Sequence, residues 1–337
     1  MSYFRTALGT NAARLRALLL GCVCVIAAWP RSARSDWPMQ RHDVARTGAA
    51  SGTSNINEPA AYFRYYLGGA LFGSHMLTFD VDGAGGPDIL MLTGGRVVAR
   101  TVGDRDLWSS PPRGLTSMPG LADLDGDGSL ELVVVASAQV FVLDPRTGAE
   151  LWREPPGEMG TVGGVRMADF DADGSTDLLI AECGCCGVNS GYPGAIYSFS
   201  SGFASARRIF ELPSVHCGFS RAITVIEIDG VAPPELVLPE PDRLRVWSPA
   251  TATMIAESPA LGSYSFWNRC WPGQLDADPG EELACVMMES DSDVVDRWRV
   301  AVLDRSAGTL AVRWSQVLAP DATGEVRALD PLADLDG

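Results

Sequence analysis

Two stretches of this 337-residue chain carry carboxylates at a spacing that suits a metal ion. Asp123-Leu124-Asp125-Gly126-Asp127-Gly128-Ser129-Leu130-Glu131 and Asp169-Phe170-Asp171-Ala172-Asp173-Gly174-Ser175-Thr176-Asp177 both read D-x-D-x-D-G-x-x-[DE]. In a tight loop, alternate side chains at positions 1, 3 and 5 converge on one point. Gly at position 6 permits the sharp turn, and a carboxylate at position 9 closes the shell from the next segment. Hard carboxylate oxygens in a flexible cage suit Ca2+. The candidate ligands are Asp123, Asp125, Asp127 and Glu131 in the first loop, and Asp169, Asp171, Asp173 and Asp177 in the second. A single acidic turn reads equally well as a polar hairpin. Two full matches in one register favour the metal.

The elements that must position these loops are strands. An EF-hand needs a carboxylate at position 12 and flanking helices. Position 12 is Val134 in one loop and Ile180 in the other, and the flanks Leu132-Val133-Val134-Val135 and Leu178-Leu179-Ile180 have strand character. Weaker copies extend the series. Asp80, Asp82 and Asp88 keep positions 1, 3 and 9, with Ala84 at position 5, and join the candidate ligands. Glu227-Ile228-Asp229-Gly230 with Glu235 has Val231 at position 5. Gln274-Leu275-Asp276-Ala277-Asp278 with Glu282 has Gln at position 1 and Pro279 in place of Gly. These last two loops are expected to bind weakly or not at all. Asp334-Leu335-Asp336-Gly337 opens a sixth loop, inside which the chain stops. The loop starts lie 43 to 60 residues apart, the length of one four-stranded propeller blade.

An apolar segment, then D-x-D-x-D-G-x-x-D, then a Leu/Val/Ile strand resembles the FG-GAP (VCBS, or integrin-α-like) repeat of β-propellers. The resemblance covers roughly residues 65–337. It implies an all-β fold: a β-propeller of four-stranded blades with Ca-binding strand–loop–strand repeats, truncated at the C-terminus, from a full ring of about six to eight blades. It implies Ca2+ in some blades and no particular activity, because adhesion, ligand binding and enzyme scaffolding share this fold. Val142-Leu143-Asp144-Pro145-Arg146-Thr147-Gly148-Ala149-Glu150-Leu151-Trp152 is similar to the blade motif of quinoprotein-type propellers. There, Asp-x-x-Thr-Gly makes a hairpin turn and the Trp packs between blades. Val302 to Gly308 with Trp314 is a looser copy.

The rest of the chain sets the context. Arg5, Arg14 and Arg16 followed by the apolar run Ala17–Ala28 read as a signal peptide over residues 1–35, with the propeller over 36–337. The apolar run is too short for a comfortable membrane span. Cys22 offers lipoprotein anchoring as a less favoured route to the cell surface. The expected location is secreted, periplasmic or cell-surface. A net charge of −16 with no basic stripe makes a poor nucleic-acid binder. The chain has no lysine, which excludes a P-loop, a Schiff-base lysine and a Ser–Lys dyad. Six cysteines follow the leader, an even number that suggests disulfides in an exported protein. Cys270 and Cys285 flank the fifth loop on one expected hairpin and are the favoured pair.

The reading that follows is an exported calcium-binding β-propeller. It acts as a binding, adhesion or scaffold module for a protein or carbohydrate ligand on one propeller face, with no catalytic residues assigned. The alternative is a propeller-based enzyme, either a polysaccharide lyase or a PQQ-dependent dehydrogenase. For the latter, Cys185-Cys186-Gly187 resembles the adjacent-cysteine segment of quinoprotein alcohol dehydrogenases.

Overall fold

A computed structural model describes residues 75–154, 161–182, 194–213, 222–240, 242–261, 269–291 and 294–317, all within the unit Asp36–Gly337. The expected signal peptide, Cys22, the Cys183–Cys186 segment, Cys217 and the sixth acidic loop lie outside the described residues.

The described chain is all-β apart from one short 3-10 turn, Ser201–Phe203. β1 (Met76–Phe79), β2 (Asp88–Thr93), β3 (Arg96–Arg100) and β4 (Asp106–Ser109) form one antiparallel sheet in chain order. The second sheet is β5 (Leu115–Ala122), β6 (Glu131–Ala136), β7 (Gln139–Leu143) and β8 (Glu150–Arg153). The third is β9 (Val162–Ala168), β10 (Asp177–Glu182), β11 (Gly194–Phe199) and β12 (Ala206–Glu211). The fourth and fifth are β13 (Thr224–Ile226), β14 (Glu235–Pro239), β15 (Leu244–Ser248), β16 (Thr253–Glu257), then β17 (Arg269–Gly273), β18 (Glu282–Asp291), β19 (Val294–Ser306) and β20 (Thr309–Val317). One parallel bridge, Glu257 to Thr309, joins the outer strands of these last two. Five successive meanders of four strands are five β-propeller blades.

The apolar runs explain the layering. β2, β10 and β14 are buried at every position, as a strand must be when both faces of its sheet are covered. Outer strands such as β4 and β8 are mostly exposed. Four cores fill the spaces between successive blades. Leu90, Leu92 and Ala99 of blade one meet Leu115, Met118 and Leu121 of blade two. Val133 and Val142 of blade two meet Val165, Ile180 and Tyr197 of blade three. Phe210 and Ile196 of blade three meet Leu236 and Val225 of blade four. Val237, Val246 and Ala256 of blade four meet Leu283, Cys285 and Leu303 of blade five.

The expected hairpin and tryptophan motif takes its place in this scheme. Asp144 Oδ1 accepts the Arg146 N–H at 2.8 Å, and its Oδ2 accepts the Thr147 hydroxyl at 2.7 Å. Gly148 adopts φ 72° beneath the blade-one indole of Trp108; a Cβ there would sit 2.5 Å from the ring. Trp152 packs on Tyr197 and Phe199 of blade three, with ring centroids 5.4 and 5.1 Å away. Trp314 differs. It lies at the same register on blade five but is 50 % exposed.

Cys270 and Cys285 are directly paired across β17 and β18 and form a disulfide with Cα atoms 4.1 Å apart. This spacing falls just under the usual 4.4–6.8 Å range.

Candidate metal centre

Every acidic loop joins the first strand of its blade to the second, so all five open at the same end of their sheets. Position 9 is always the first residue of the second strand: Asp88, Glu131, Asp177, Glu235 and Glu282, each buried. Its carboxylate always accepts the backbone N–H of position 2. The distances are 3.0 Å for Val81 to Asp88, 2.9 Å for Leu124 to Glu131 and 2.8 Å for Phe170 to Asp177. They are 3.1 Å for Ile228 to Glu235 and 2.6 Å for Leu275 to Glu282. Position 1 adds a second clasp in the three loops that keep an Asp there. Asp80, Asp123 and Asp169 each accept the N–H of the position-6 glycine at 3.0 Å. Those glycines, Gly85, Gly128 and Gly174, have φ between 86° and 90°, a conformation that costs a side-chain-bearing residue about 1–2 kcal/mol.

The backbone thus gathers oxygens. Carboxylate oxygens of Asp80, Asp82 and Asp88 lie within 4.8 Å of one another, as do those of Asp123, Asp125 and Asp127, and those of Asp169, Asp171 and Asp177. Glu131 is locked on Leu124 beside its triplet. Asp173 serves its own turn, with Oδ1 accepting the Ser175 N–H at 2.8 Å. A fourth triplet, Asp276, Asp278 and Glu282, forms in the loop whose Gln274 and Pro279 had placed it among the weak copies. The signal for it was present in the alternation of Asp276 and Asp278 with Glu282 at position 9. Among the described residues the Glu227 loop shows no such triplet, and its Asp229 pairs with Arg305 at 3.2 Å.

The electrostatics fit a cation. Burial, reinforced by Asp125, Asp123 and Asp127, pushes Glu131 up to about 8. Burial and the Asp171 and Asp173 charges raise Asp177 to about 7, and burial with Asp229 raises Glu235 to about 7. Burial also raises Glu282. Buried oxygens Asp80 Oδ1 and Glu282 Oε1 lack a hydrogen-bond partner. An all-carboxylate donor set with such oxygens suits a hard divalent ion. Arginines hold three of the position-3 carboxylates, Arg105 on Asp82 at 2.6 Å, Arg207 on Asp171 at 3.2 Å and Arg305 on Asp229 at 3.2 Å. Asp125 instead accepts the Gly202 N–H from the next blade at 2.6 Å.

Neighbouring loops also touch. The Thr176 N–H donates to the Asp123 carbonyl at 3.0 Å, and the Glu281 N–H to the Glu227 carbonyl at 3.0 Å.

Blades of four antiparallel strands, each with an acidic first hairpin loop, define a β-propeller repeat protein. Residues 123–180, which span both complete acidic loops, match the FG-GAP-like repeat family. No curated protein matches it. Among solved structures it is similar to the V. cholerae biofilm matrix protein Bap1, at 20 % identity over 72 % of this chain and 38 % of that one, TM-score 0.47. BamB from Moraxella catarrhalis is 15 % identical over 68 % of this chain and 72 % of its own, TM-score 0.31. The WD40 domain of SCAP from fission yeast is 8 % identical over 74 % and 56 %, TM-score 0.39. The chain spans well under two thirds of the Bap1 chain.

Proposed function

We propose that this protein is an exported, calcium-binding β-propeller that serves as a binding or adhesion module rather than a catalyst. The observation that carries the reading is the set of converging carboxylate triplets at one end of the blades, each backed by a buried position-9 acid. Several equivalent acid groups in register suit repeated ion sites, whereas acid–base catalysis uses one pair. Calcium would neutralise the clustered charge and stiffen the loops that form one propeller face. A protein or carbohydrate ligand would meet that face. Export is supported by the N-terminal charged and apolar segments, and a disulfide at Cys270–Cys285 suits an oxidising compartment. Among the described residues no helix is long and apolar enough to cross a membrane.

The test has two arms. Calorimetric titration of chelator-treated protein with calcium should show at least two sites. A glycan and cell-surface binding assay, with calcium and with chelator, should then show calcium-dependent retention. No heat above dilution in the first arm overturns the metal assignment. Retention indifferent to calcium overturns the proposed link between the loops and the ligand face.

A further inference from the structure

Position 3 of the acidic loop meets the next blade in the same place twice, with opposite chemistry. In blade two the Asp125 carboxylate accepts the Gly202 N–H at 2.6 Å. Gly202 lies in the turn between the third and fourth strands of blade three. In blade four the Asp229 carboxylate takes Arg305 Nη1 at 3.2 Å. Arg305 lies at the end of β19, where the third strand of blade five turns into its fourth. A neutral N–H leaves the Asp123, Asp125 and Asp127 triplet its full negative charge. A guanidinium brings a positive charge to a loop that, among the described residues, forms no triplet.

Arg305 differs from the other arginines at position 3. Arg105 and Arg207 belong to the same blades as the carboxylates they hold. Their side chains are 66 % and 69 % exposed, as solvated surface arms are. Arg305 crosses a blade boundary, and its side chain is 29 % exposed, so solvent and salt screen its pair less. The acids around it need a counter-charge. Glu227, Asp229 and the buried Glu235 occupy positions 1, 3 and 9. The Arg305 charge also acts on Glu235, opposing the rise that burial and Asp229 impose. The rest of the loop is fitted to blade five as well. Glu281 Oε2 accepts the Glu227 N–H at 2.9 Å. Gly230 lies against the Pro279 carbonyl, with no room there for a side chain.

We propose that Arg305 is the resident cation of the blade-four loop. Its guanidinium, carried by the next blade, stands on Asp229 in place of a metal ion and makes the junction of blades four and five independent of divalent ions. The acidic end then has one part that ions set and another that the chain sets for itself. Only that contrast rests on the calcium reading of the other loops.

Hydrogen exchange of the full chain in chelator, read by mass spectrometry, tests it. The amides of Ile228, Gly230 and Val231 report on the loop, since each is bonded within it. Arg305→Gln should speed their exchange about fivefold, the upper range for a lost ion pair, while the amides of Asp127 to Ser129 stay fixed, as local opening requires. Arg305→Lys keeps the charge and should stay within about twofold of the parent, and millimolar methylguanidinium should bring Arg305→Gln back to the same range. Calcium should leave these three amides of the parent chain unchanged. Exchange at the parent rate in Arg305→Gln would overturn the proposal. So would a loss that neither Arg305→Lys nor methylguanidinium repairs, because charge is then not what the arginine supplies. Protection of the three amides by calcium in the parent would also overturn it, because a metal then holds the loop. Should Arg305→Gln not fold, Arg305→Lys decides alone, with parent-like protection supporting the proposal and lost protection overturning it. Calcium that fails to protect Asp127 to Ser129 in the parent counts against the calcium reading instead.

Discussion

The backbone N–H of Leu124 donates to Oε2 of Glu131 at 2.9 Å, closing the acidic loop on itself before any ion arrives. The same bond joins Ile228 to Glu235 in a loop where the described residues form no carboxylate triplet. The position-9 acid is thus a structural lock first and a ligand second. Glu235→Ala should cost about 1–3 kcal/mol, because the buried Ile228 N–H loses its acceptor. Glu235→Gln keeps an acceptor oxygen and should cost under about 1 kcal/mol. Urea unfolding near pH 6 separates the two; equal losses would mean that packing, not the bond, sets the cost.

The arginines on position 3 compete with any cation. Asp125→Ala with Asp171→Ala should abolish calcium binding at the two complete loops. Arg207→Ala should act in the opposite direction and tighten the Asp169 loop about twofold to fivefold, the range expected for an exposed ion pair. Calorimetry on single-loop variants gives the comparison. Weaker binding after Arg207→Ala would show that the arginine supports the site.

The raised acids fix the sign of the pH response. Glu131 is held at about 8, against an ordinary value of 4.5, and Asp177 and Glu235 at about 7. Metal-free folded protein therefore holds protons that the unfolded chain has released. The stability this gives is fully present below the unfolded values and is lost as pH rises through 7 to 8. Thermal melts of chelated protein should fall steadily between about pH 5 and pH 8.5, and saturating calcium should flatten the slope, since it binds only the deprotonated folded loop. A melting temperature that climbs with pH in chelator would refute the assignment.

Glu154 makes a metal-independent case. It sits between blades two and three at the end away from the acidic loops, 1 % exposed, with Oε2 unpartnered. The Tyr197 hydroxyl reaches Oε1 at 3.5 Å. Burial lifts Glu154 to about 7, opposed by the Tyr197 bond and the Arg208 charge and aided by Glu182. Glu154→Gln stays neutral at every pH. It should leave the melting temperature near pH 6 almost unchanged and raise it by about 2–4 °C near pH 8, where the parent carries a buried charge. The same gain at both pH values would remove ionisation as the cause.

Most of the fold was legible because its punctuation repeats. The loops at Asp123 and Asp169 state strand, turn and strand in one line, and the spacing of their copies sets the blade length. Cys270 and Cys285 could be paired from their places on either side of one hairpin. Two features were not legible, and the signal for a third was outweighed by the substitutions beside it. Asp276, Asp278 and Glu282 converge although Pro279 replaces the usual glycine, because the Glu282–Leu275 bond closes the loop without it. The arginines on Asp82 and Asp171 stand 23 and 36 residues from their partners, so pairing them needs the strand order. Glu154 follows the last residue of β8 and nothing in its local sequence marks it as buried. Its burial comes from a neighbouring blade, which no local pattern records.

The contacts between successive loops have a consequence for how the acidic end works as a unit. Position 8 supplies the N–H that grips the previous loop, as Thr176 does for Asp123 and Glu281 for Glu227. In the blade-four loop that position is Pro234, which has no N–H to give. The acidic end is therefore stitched in couples, two with three and four with five, with a dropped stitch between them. An ion at Asp123 firms the carbonyl on which its twin hangs, so the two complete loops should fill together, with a Hill coefficient above one. Thr176→Pro would remove that loop-to-loop hydrogen bond and return them to independence; a steep titration that survives it would place the coupling elsewhere, as in the Gly202–Asp125 bond.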